Sequence, residues 1–366
     1  MINLEGVINP LSFGWITNGI MKNLHRQGVE FNFFPISNSL DWSVFDTENN
    51  SYKEYVANSF NNSVKRFNLN DKSLKIWHIN PQSIPKTSLS GNYLLTFHEL
   101  DALTDEEVNI LNSFSKVFVT SRFSQSVFQD FGVKVPVVYV PMGLDNETFL
   151  DLKTERPFKD IIVFSIFGKA EKRKGTAKTV QTWIRKYGNN PRFKLHLYIT
   201  NPFFKPEQMN QIYGQIFEGR PKPFNVDIFP YLSTNSQLNI AYNSTDIVID
   251  MSGGESISLG SLNCVAMGKH AVVHWNSGLK DWATEENAVL VKPSGKEPVY
   301  DGIFFHQGQK FNQGNIYTYS PDDLFSALDI AVARFEKNPN NVAGRQLNDS
   351  YSFRSGVDSI LKEMNN

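Results

Sequence analysis

Two stretches in the second half of the chain combine glycines with charged side chains in a pattern that suits anion binding. The first is Gly168–Gly175, in which four basic residues lie between two glycines directly after the apolar run Ile161–Phe167. A continuous apolar run predicts a strand covered on both faces, and a glycine loop between a strand and a helix presents free backbone N–H groups to a phosphate. A solvated charged loop is the other interpretation of the same residues.

The second stretch, Ile247–Gly268, has the pattern of a strand, a glycine turn and a helix, and Ala271–Val273 continues it as a further strand. The turn Ser252–Glu255 places free N–H groups beside a helix N-terminus, where an anion is stabilised. An ionised carboxylate at Glu255 accepts hydrogen bonds only, so sugar hydroxyls are natural partners. The alternative is an ordinary strand–helix–strand crossover with a surface glutamate.

This second stretch resembles the E-x7-E region of the large family of retaining, two-domain glycosyltransferases with the GT-B fold. The matching residues are Glu255, Leu259, Gly260, Leu262, Ala266, Met267, Gly268, Val272 and Val273. The resemblance implies that Glu255 contacts hydroxyls of the donor sugar. It also implies that Ser258, Leu259 and Gly260 lie against the donor. Asn263 stands where the family has a second acidic residue that holds the nucleotide ribose, and asparagine can bond a diol only without charge assistance.

A further match lies earlier in the chain and resembles the family's S-x-F-S, G-V and V-V-P-x-G-x-D sequence. It runs through Ser121–Ser124, Gly132 and Val137–Asp145. In the family these pieces mark the last strand of the first domain.

The basic loop gains specific roles from the same resemblance. The family places an Arg directly after the first glycine and a Lys before the second, both on the donor diphosphate, and here Lys169 follows Gly168 and Lys174 precedes the second glycine. Lysine keeps the charge but loses the bidentate fork, which Arg173 is the candidate to supply. Tyr231 lies in the segment that matches the family's nucleotide-base wall.

Two residues of the first half complete the candidate site. Gly14 follows the first predicted strand and matches the family's glycine loop near the diphosphate and the acceptor, although a structural glycine is an equal alternative. His98 follows the predicted strand Tyr93–Phe97, at the carboxyl end where open α/β sheets bind ligands. The family carries a histidine there that faces the donor sugar, and a satisfied structural histidine is the alternative.

The elements that must position these residues alternate between strand and helix, which predicts an α/β fold. The resemblance implies two Rossmann-like domains facing across a cleft: an acceptor-side domain at 1–150, a nucleotide-sugar-binding domain at 151–340, and a C-terminal helix within 341–366 that crosses back to the first domain. A length of 366 residues suits two domains. Asp151–Phe158 reads as the linker, and the Gly- and aromatic-rich Tyr300–Tyr319 as an insertion near the acceptor.

Composition limits the classes of partner. The formal net charge of −1 gives no overall attraction to nucleic acid or anionic lipid, and residues 1–150 carry 11 Lys+Arg against 15 Asp+Glu, whereas residues 151–366 carry 25 against 22. The single cysteine, Cys264, excludes an internal disulfide and predicts a reducing, cytoplasmic setting. The sequence shows neither a signal peptide nor a membrane-spanning apolar run, while peripheral membrane contact stays open.

Through the resemblance, the sequence predicts a retaining glycosyltransferase that uses a nucleotide-diphosphate sugar and needs no metal or other cofactor. A glycan or small-molecule hydroxyl is the preferred acceptor, because the acidic first domain does not favour wide phosphate contact with nucleic acid. Three alternatives stay open: a sugar-nucleotide epimerase of the same fold, a transferase acting on a modified DNA base or a lipid-linked acceptor, and a non-catalytic nucleotide-sugar-binding protein.

Overall fold

The computed structural model describes residues 1–86, 91–152 and 160–366. Within these ranges, the N-terminal sheet has six parallel strands in the order β2-β1-β3-β4-β5-β6. The strands are β1 (Ile2–Ile8), β2 (Phe31–Leu40), β3 (Lys72–Ile76), β4 (Asn92–Thr96), β5 (Lys116–Val119) and β6 (Val137–Tyr139). The helices of this half are α1 (Ser12–Arg26), α2 (Asn50–Asn61), α3 (Ser63–Arg66), α4 (Asp105–Leu111) and α5 (Arg122–Asp130).

The C-terminal sheet likewise has six parallel strands among the described residues, in the order β12-β11-β10-β7-β8-β9. The strands are β7 (Ile162–Phe167), β8 (Phe193–Tyr198), β9 (Val226–Ile228), β10 (Ile247–Asp250), β11 (His270–His274) and β12 (Val289–Val291). A hairpin of β13 (Gly295–Pro298) and β14 (Asn315–Thr318) follows. The helices are α6 (Thr176–Tyr187), α7 (Pro206–Ile216), α8 (Asn235–Asn243), α9 (Leu259–Ala266), α10 (Pro321–Lys337), α11 (Val342–Arg345) and α12 (Leu347–Ser350).

Each sheet is doubly wound, so its strand order reverses at one point. The reversal lies between β1 and β3 in the N-terminal sheet and between β7 and β10 in the C-terminal sheet. Ligands of open α/β sheets bind outside the carboxyl ends of the strands at such a switch point. The loops that follow β7 and β10 are the two glycine-bearing stretches of the sequence, so the topology brings them together.

The last helix, α13 (Phe353–Asn365), returns to the N-terminal domain and confirms the predicted crossover. It packs on α1, where a Cβ added at Gly19 would lie 2.4 Å from the Phe353 ring. The Tyr93 hydroxyl donates to the Met364 carbonyl at 3.2 Å. Four residues of α13, Phe353, Val357, Ile360 and Met364, belong to the hydrophobic core of the N-terminal domain. The two six-stranded sheets, each with its helices, are the predicted pair of Rossmann-like domains.

The sequence also predicts how one helix begins and where one strand ends. Thr104 followed three residues later by Glu107 predicts a capping box at the start of a helix. The structure has it at the start of α4: the Thr104 side chain accepts from the Glu107 N–H, and the Glu107 carboxylate accepts from the Thr104 N–H. The apolar residues of Leu74–Ile79 predict a strand that ends at Ile79, whereas β3 ends three residues earlier, at Ile76. Most of the predicted linker lies outside the described residues, so the domain boundary at 150 stays a prediction. In the described part of the chain, no helix is both long and apolar enough to cross a bilayer.

Residues 295–319, here called the strap, run from the C-terminal domain onto the N-terminal domain. The Lys296 Nζ lies 2.8 Å from Asp101 Oδ2, and the Asn315 N–H donates to Asp101 Oδ1 at 2.7 Å. Leu100 of the N-terminal domain packs into an apolar cluster with the strap residues Val299, Phe305 and Ile316. The segment predicted as an insertion therefore lies within a bridge between the two domains.

Acid is expected to destabilise the fold between pH 6.5 and 4. Desolvation lowers the pKa of His98, His196 and His274 from 6.5 to about 4. In this window the unfolded chain binds more protons, so the free energy of unfolding falls as the pH falls, by up to about 3 kcal/mol for each histidine. Urea denaturation at stepped pH measures this dependence. A midpoint that does not change from pH 7 to 4 would contradict the buried, neutral state of these side chains.

Candidate functional site

The two glycine-bearing loops are locked together at the C-terminal switch point. The Gly253 N–H donates to the Arg173 carbonyl at 2.7 Å. Gly175 has φ of +62°, in the left-handed region, and a Cβ added there would lie 2.8 Å from the Met251 carbonyl oxygen. Glycine is therefore required at 175 both for its backbone conformation and for the close approach of the loop after β10.

Lys174 and Glu255 form the centre of the site. The Lys174 Nζ lies 2.5 Å from Glu255 Oε1, and the two side chains are 18% and 6% exposed. The Ser252 hydroxyl donates to the same oxygen at 2.6 Å. Burial alone would raise the pKa of Glu255, but the Lys174 and Arg173 cations outweigh burial and lower this pKa to about 2. Glu255 is therefore an ionised hydrogen-bond acceptor at neutral pH.

Arg173 is buried among three carboxylates. Its Nη1 lies 3.0 Å from Glu255 Oε1 and 3.4 Å from Glu99 Oε1, and its Nη2 donates to Glu171 Oε1 at 2.7 Å. Burial lowers the pKa of Arg173, but the carboxylates outweigh it and raise this pKa above its ordinary value. The guanidinium fork assigned to a diphosphate from the sequence thus binds carboxylates in this structure. A phosphate contact by Arg173 stays a prediction.

Lys169 lies at the edge of the same cluster. Its Nζ is 3.8 Å from Glu171 Oε2 and 5.1 Å from the ring centroid of Phe203, a cation–π contact. Gly168 has φ of +120°, and a Cβ added there would lie 3.3 Å from Lys174 Cε. The structure therefore brings Gly168, Lys169 and Lys174 to one crevice with the Glu255 turn, while their contacts with a ligand stay predictions.

The N-terminus of α9 adjoins the Glu255 turn. Ser258 precedes the first helical residue, in the left-handed region with φ of +57°, and its hydroxyl donates to Asp250 Oδ2 and not to the helix. Gly260 packs against β7, because a Cβ added there would lie 2.9 Å from Phe167 Cβ. This close packing places the first turn of α9, whose N–H groups have no partner within the helix, beside the basic loop, which is the arrangement that stabilises anions.

Two other predicted donor residues on α9 make contacts within the protein. The Leu259 side chain packs on the N-terminal half, since a Cβ added at Gly143 would lie 2.8 Å from Leu259 Cδ2. Asn263 is 2% exposed, and its Nδ2 donates to the Leu259 carbonyl at 2.8 Å. The Asn263 amide thus bonds its own helix in this structure, and a ribose contact stays a prediction.

His98 lies inside the N-terminal domain. It is 5% exposed, and its Nε2 lies 3.0 Å from the Ala102 carbonyl oxygen. The ring meets Phe128 edge-on at 5.4 Å, and the His98 carbonyl accepts from the Ser124 hydroxyl. These contacts match the alternative interpretation, a satisfied structural histidine, and a contact between His98 and a sugar stays a prediction.

Gly14 and Tyr231 meet the loop that follows β1. A Cβ added at Gly14 would lie 2.1 Å from the Asn9 carbonyl oxygen, so the start of α1 packs tightly on this loop. The Tyr231 hydroxyl, from the C-terminal domain, donates to the Pro10 carbonyl at 3.4 Å. Both residues therefore lie at the N-terminal switch point, where the loop faces the other domain.

Replacing Gly14 by alanine is expected to lower the melting temperature by several degrees. The new Cβ forces a backbone shift around Asn9, and overpacking of this kind costs about 1–3 kcal/mol. Differential scanning fluorimetry measures the change. Gly214→Ala is the matched control: Gly214 lies inside α7 with nothing within 4 Å of the added Cβ, so alanine there should leave the stability unchanged or raise it by up to about 1 kcal/mol. Equal melting temperatures for the two variants would contradict the close approach at Gly14.

The sequence assigned no role to two residues that the structure places in the cleft. His78 follows β3 at the N-terminal switch point, its ring centroid lies 4.2 Å from that of Phe13, and desolvation together with the Lys169 cation lowers its pKa to about 4. The sequence signal that could have identified His78 is its position after β3, a strand that neighbours β1. Glu99 contacts Arg173 across the cleft, and nothing in the local sequence distinguishes it from Asp101, which binds the strap.

The two domains are in contact on several sides of the cleft. The Thr120 and Ser256 hydroxyls lie 2.7 Å apart, and the Asn235 N–H donates to the Val44 carbonyl at 2.8 Å. Together with the strap, these contacts join the two domains near the Lys174–Glu255 pair.

The chain matches no protein-family model and no curated protein sequence. Solved structures, in contrast, match over almost its whole length. Sucrose-phosphate synthase from Thermosynechococcus elongatus is 13% identical with a TM-score of 0.68, covering 100% of this chain and 98% of that one. A glycosyltransferase from Rickettsia africae is 14% identical with a TM-score of 0.71, covering 99% and 97%.

A third structure, Anabaena HepE in complex with UDP and glucose, is 12% identical with a TM-score of 0.61, covering 100% of this chain and 99% of that one. The chain has the GT-B fold. At these identities the likeness establishes the architecture and no more. The GT-B arrangement accounts for the facing switch points and for the return of α13, both of which the resemblance in the sequence predicted.

Proposed function

We propose that the chain is a glycosyltransferase that transfers a sugar from a nucleoside-diphosphate sugar to an acceptor hydroxyl. The observation that carries the proposal is the Lys174–Glu255 pair, 2.5 Å apart at the C-terminal switch point, with Glu255 buried in the turn that leads into α9. A cation beside free N–H groups suits a diphosphate, and an ionised carboxylate suits sugar hydroxyls. The GT-B fold is consistent with both.

The chemistry follows from where charge develops. As the sugar leaves and becomes oxocarbenium-like, the diphosphate gains negative charge. Lys174, Lys169 and the N–H groups of α9 stabilise this charge more in the transition state than in the ground state, which is the condition for catalysis. Glu255 holds the sugar ring next to the leaving group. Closure of the cleft over the bound donor excludes water and thus limits hydrolysis of the donor.

We also propose that transfer retains the configuration at the anomeric carbon and that it needs no metal ion. Both statements rest on the resemblance in the sequence. The described residues contain no group of three His, Cys, Asp or Glu side chains arranged to hold a metal ion. The stereochemistry of the anomeric carbon, followed by NMR during turnover, tests retention. Transfer rates measured with EDTA and with added divalent cations test the metal assignment.

The acceptor is proposed to be a glycan or a small-molecule hydroxyl, since the N-terminal domain carries net negative charge.

The deciding experiment has two stages. A thermal-shift screen of nucleoside-diphosphate sugars identifies the donor, and the purified chain is then incubated with that donor, alone and with a panel of acceptors. Slow release of nucleoside diphosphate from donor alone and transfer to an acceptor support the proposal.

Other outcomes of the same incubation favour the alternatives. An isomerised donor indicates an epimerase, and donor binding without turnover across the panel indicates a nucleotide-sugar-binding protein. A screen in which no nucleotide sugar stabilises the chain would refute the proposal.

A further inference from the structure

The strap and the basic loop enclose a cavity of about 400 Å³ in the C-terminal domain, here called the strap cavity. Its wall is formed by loop residues 170–173, the first turn of α6, part of α7, and strap residues that include 316–319. Of the residues assigned to the donor, Arg173 alone lines this cavity, and no described residue of the N-terminal domain does. The strap cavity is therefore a separate space that adjoins the donor crevice at Arg173.

Most of the side chains along this cavity are apolar. The rings of Phe204 and Phe304 are stacked with their centroids 5.8 Å apart. Ile212 and Ile216 of α7 line the cavity as well, together with Ile316 of the strap. Cavities of about 300–1,000 Å³ with mainly apolar walls and a few polar groups are the usual form of a small-molecule site. The strap cavity thus has the size and the wall to hold the apolar body of such a molecule.

Two ammonium groups at the cavity form no ion pair with a carboxylate in the described part of the chain. Lys172 Nζ donates to the carbonyls of Pro298 and Tyr300, and Lys178 Nζ donates to the carbonyl of Tyr319. Both lysines line the cavity. Their hydrogen bonds hold the ammonium groups in place without neutralising the charge, so both groups can attract an anion.

The carboxylates that line the same cavity already have partners or face solvent. Glu171 Oε1 accepts from Arg173 Nη2 at 2.7 Å, and Asp301 Oδ1 accepts from the N–H groups of residues 303–305. Glu297 is exposed on β13. These carboxylates are therefore paired, hydrogen-bonded or screened by water, which leaves the positive charge of the two lysines uncompensated.

The first turn of α6 adds hydrogen-bond donors at the same place. Gly175 precedes this 12-residue helix and provides no side-chain cap, and the first turn holds no acidic residue. Within the described ranges, the N–H groups of residues 176–178 have no acceptor. Arg173, whose side chain is 7% exposed, has an Nε with no hydrogen-bond partner. Donors without partners at a helix N-terminus, next to cations, bind carboxylates and phosphates.

We propose that the strap cavity binds a small molecule that joins an apolar body to a carboxylate or a phosphate. The apolar body packs against the Phe204 and Phe304 rings and the isoleucines of α7. The anionic group accepts hydrogen bonds from the first turn of α6 and is attracted by the two lysines. This site goes beyond the proposed sugar transfer, and its ligand is not the donor, because neither Lys174 nor Glu255 lines the cavity.

The first test compares two anions, naphthoate and naphthyl phosphate, with neutral naphthol, by calorimetric titration of the full chain in the absence of donor. At least one anion is expected to bind roughly tenfold or more tightly than naphthol, because only an anion makes charge-assisted hydrogen bonds with the unpartnered donors. The stronger of the two anions shows whether the ligand carries a carboxylate or a phosphate. No binding of either anion, or equal affinity for naphthol, would overturn the proposal.

The second test places the anion at α6 with a pair of variants, Ala177→Glu and Ala177→Gln. Ala177 is exposed, lies in the first turn of α6 and lines the cavity. Glutamate supplies the negative charge that this helix end lacks, so the melting temperature should stay the same or rise slightly. The same charge should weaken binding of the anion by roughly tenfold or more, whereas the neutral glutamine should keep the affinity within about threefold. An unchanged affinity in Ala177→Glu would contradict the site.

The third test separates the strap cavity from the donor crevice. Lys174→Ala should bind the anion within about threefold of the unaltered chain, since Lys174 does not line the cavity. Loss of anion binding in Lys174→Ala would place the anion in the donor crevice and refute the proposal. A screen in which no nucleotide sugar binds would refute the proposed function and leave the strap cavity proposal standing, because its tests use no donor.

Discussion

Lys174→Ala is expected to abolish stabilisation by the donor and to lower kcat/KM for transfer by roughly 100- to 1,000-fold, the cost of removing one strong charge-stabilising donor from a closed site. The ammonium lies 2.5 Å from Glu255, in the crevice where the proposed diphosphate gathers charge. Its removal also leaves Glu255 with Arg173 as its remaining cation partner among the contacts described above. Thermal shift with the donor measures binding, and initial rates measure transfer.

Lys172→Ala provides the matched control for this prediction. Lys172 belongs to the same loop, but its ammonium donates to the Pro298 and Tyr300 carbonyls of the strap. Its loss should leave the donor-dependent shift in place and lower only the melting temperature of the free chain. If Lys174→Ala and Lys172→Ala bind the donor with equal affinity, the phosphate role of Lys174 is wrong.

Glu255→Gln is the second substitution with a large expected effect, and it acts on stability as well as on activity. The amide keeps the shape of the side chain but leaves Lys174 and Arg173 without the negative charge that lies 2.5 Å and 3.0 Å away. Breaking a buried pair from one side costs about 3–5 kcal/mol, which should appear in urea denaturation. Transfer should become undetectable, because the sugar loses its charged hydrogen-bond acceptor.

The pH dependence gives this second prediction its own check. In the unaltered chain the pKa of Glu255 is about 2, so its ion pairs contribute stability that is present above pH 4.5 and is lost as the pH falls from 4.5 towards 2. Glu255→Gln should lose the part of the acid dependence that falls in this lower range and keep the histidine part above pH 4. Glu54→Gln, at an exposed position on α2, should behave as the unaltered chain does. Identical acid dependence in all three proteins would argue against the buried pairs.

The sequence predicted what depends on local signals. Glycines beside apolar runs located the loops after β7 and β10, and because both follow strands of one parallel sheet, their meeting at its carboxyl edge could be anticipated. The return of α13 followed from the resemblance, and its apolar spacing is visible in the chain. The capping box at the start of α4 could be predicted from the four residues Thr104–Glu107 alone.

What the sequence did not predict depends on contacts between distant segments. The partners of Arg173 come from residues 99, 171 and 255, so its role in binding carboxylates became visible only when both domains were in place. His98 and Glu99 are adjacent, and which of them turns inwards is decided by the pocket formed by Ala102 and Phe128. No pattern in the strand before them carries that information.

The return of α13 also bears on how the chain is made. Its residues Phe353, Val357, Ile360 and Met364 complete the core of the domain that leaves the ribosome first. That domain consequently cannot finish folding before residues 353–364 have been synthesised, because they supply its last packing surface. Ribosome-bound nascent chains that end before residue 353 should therefore expose apolar surface and recruit chaperones, even though the first 150 residues are already outside the exit tunnel.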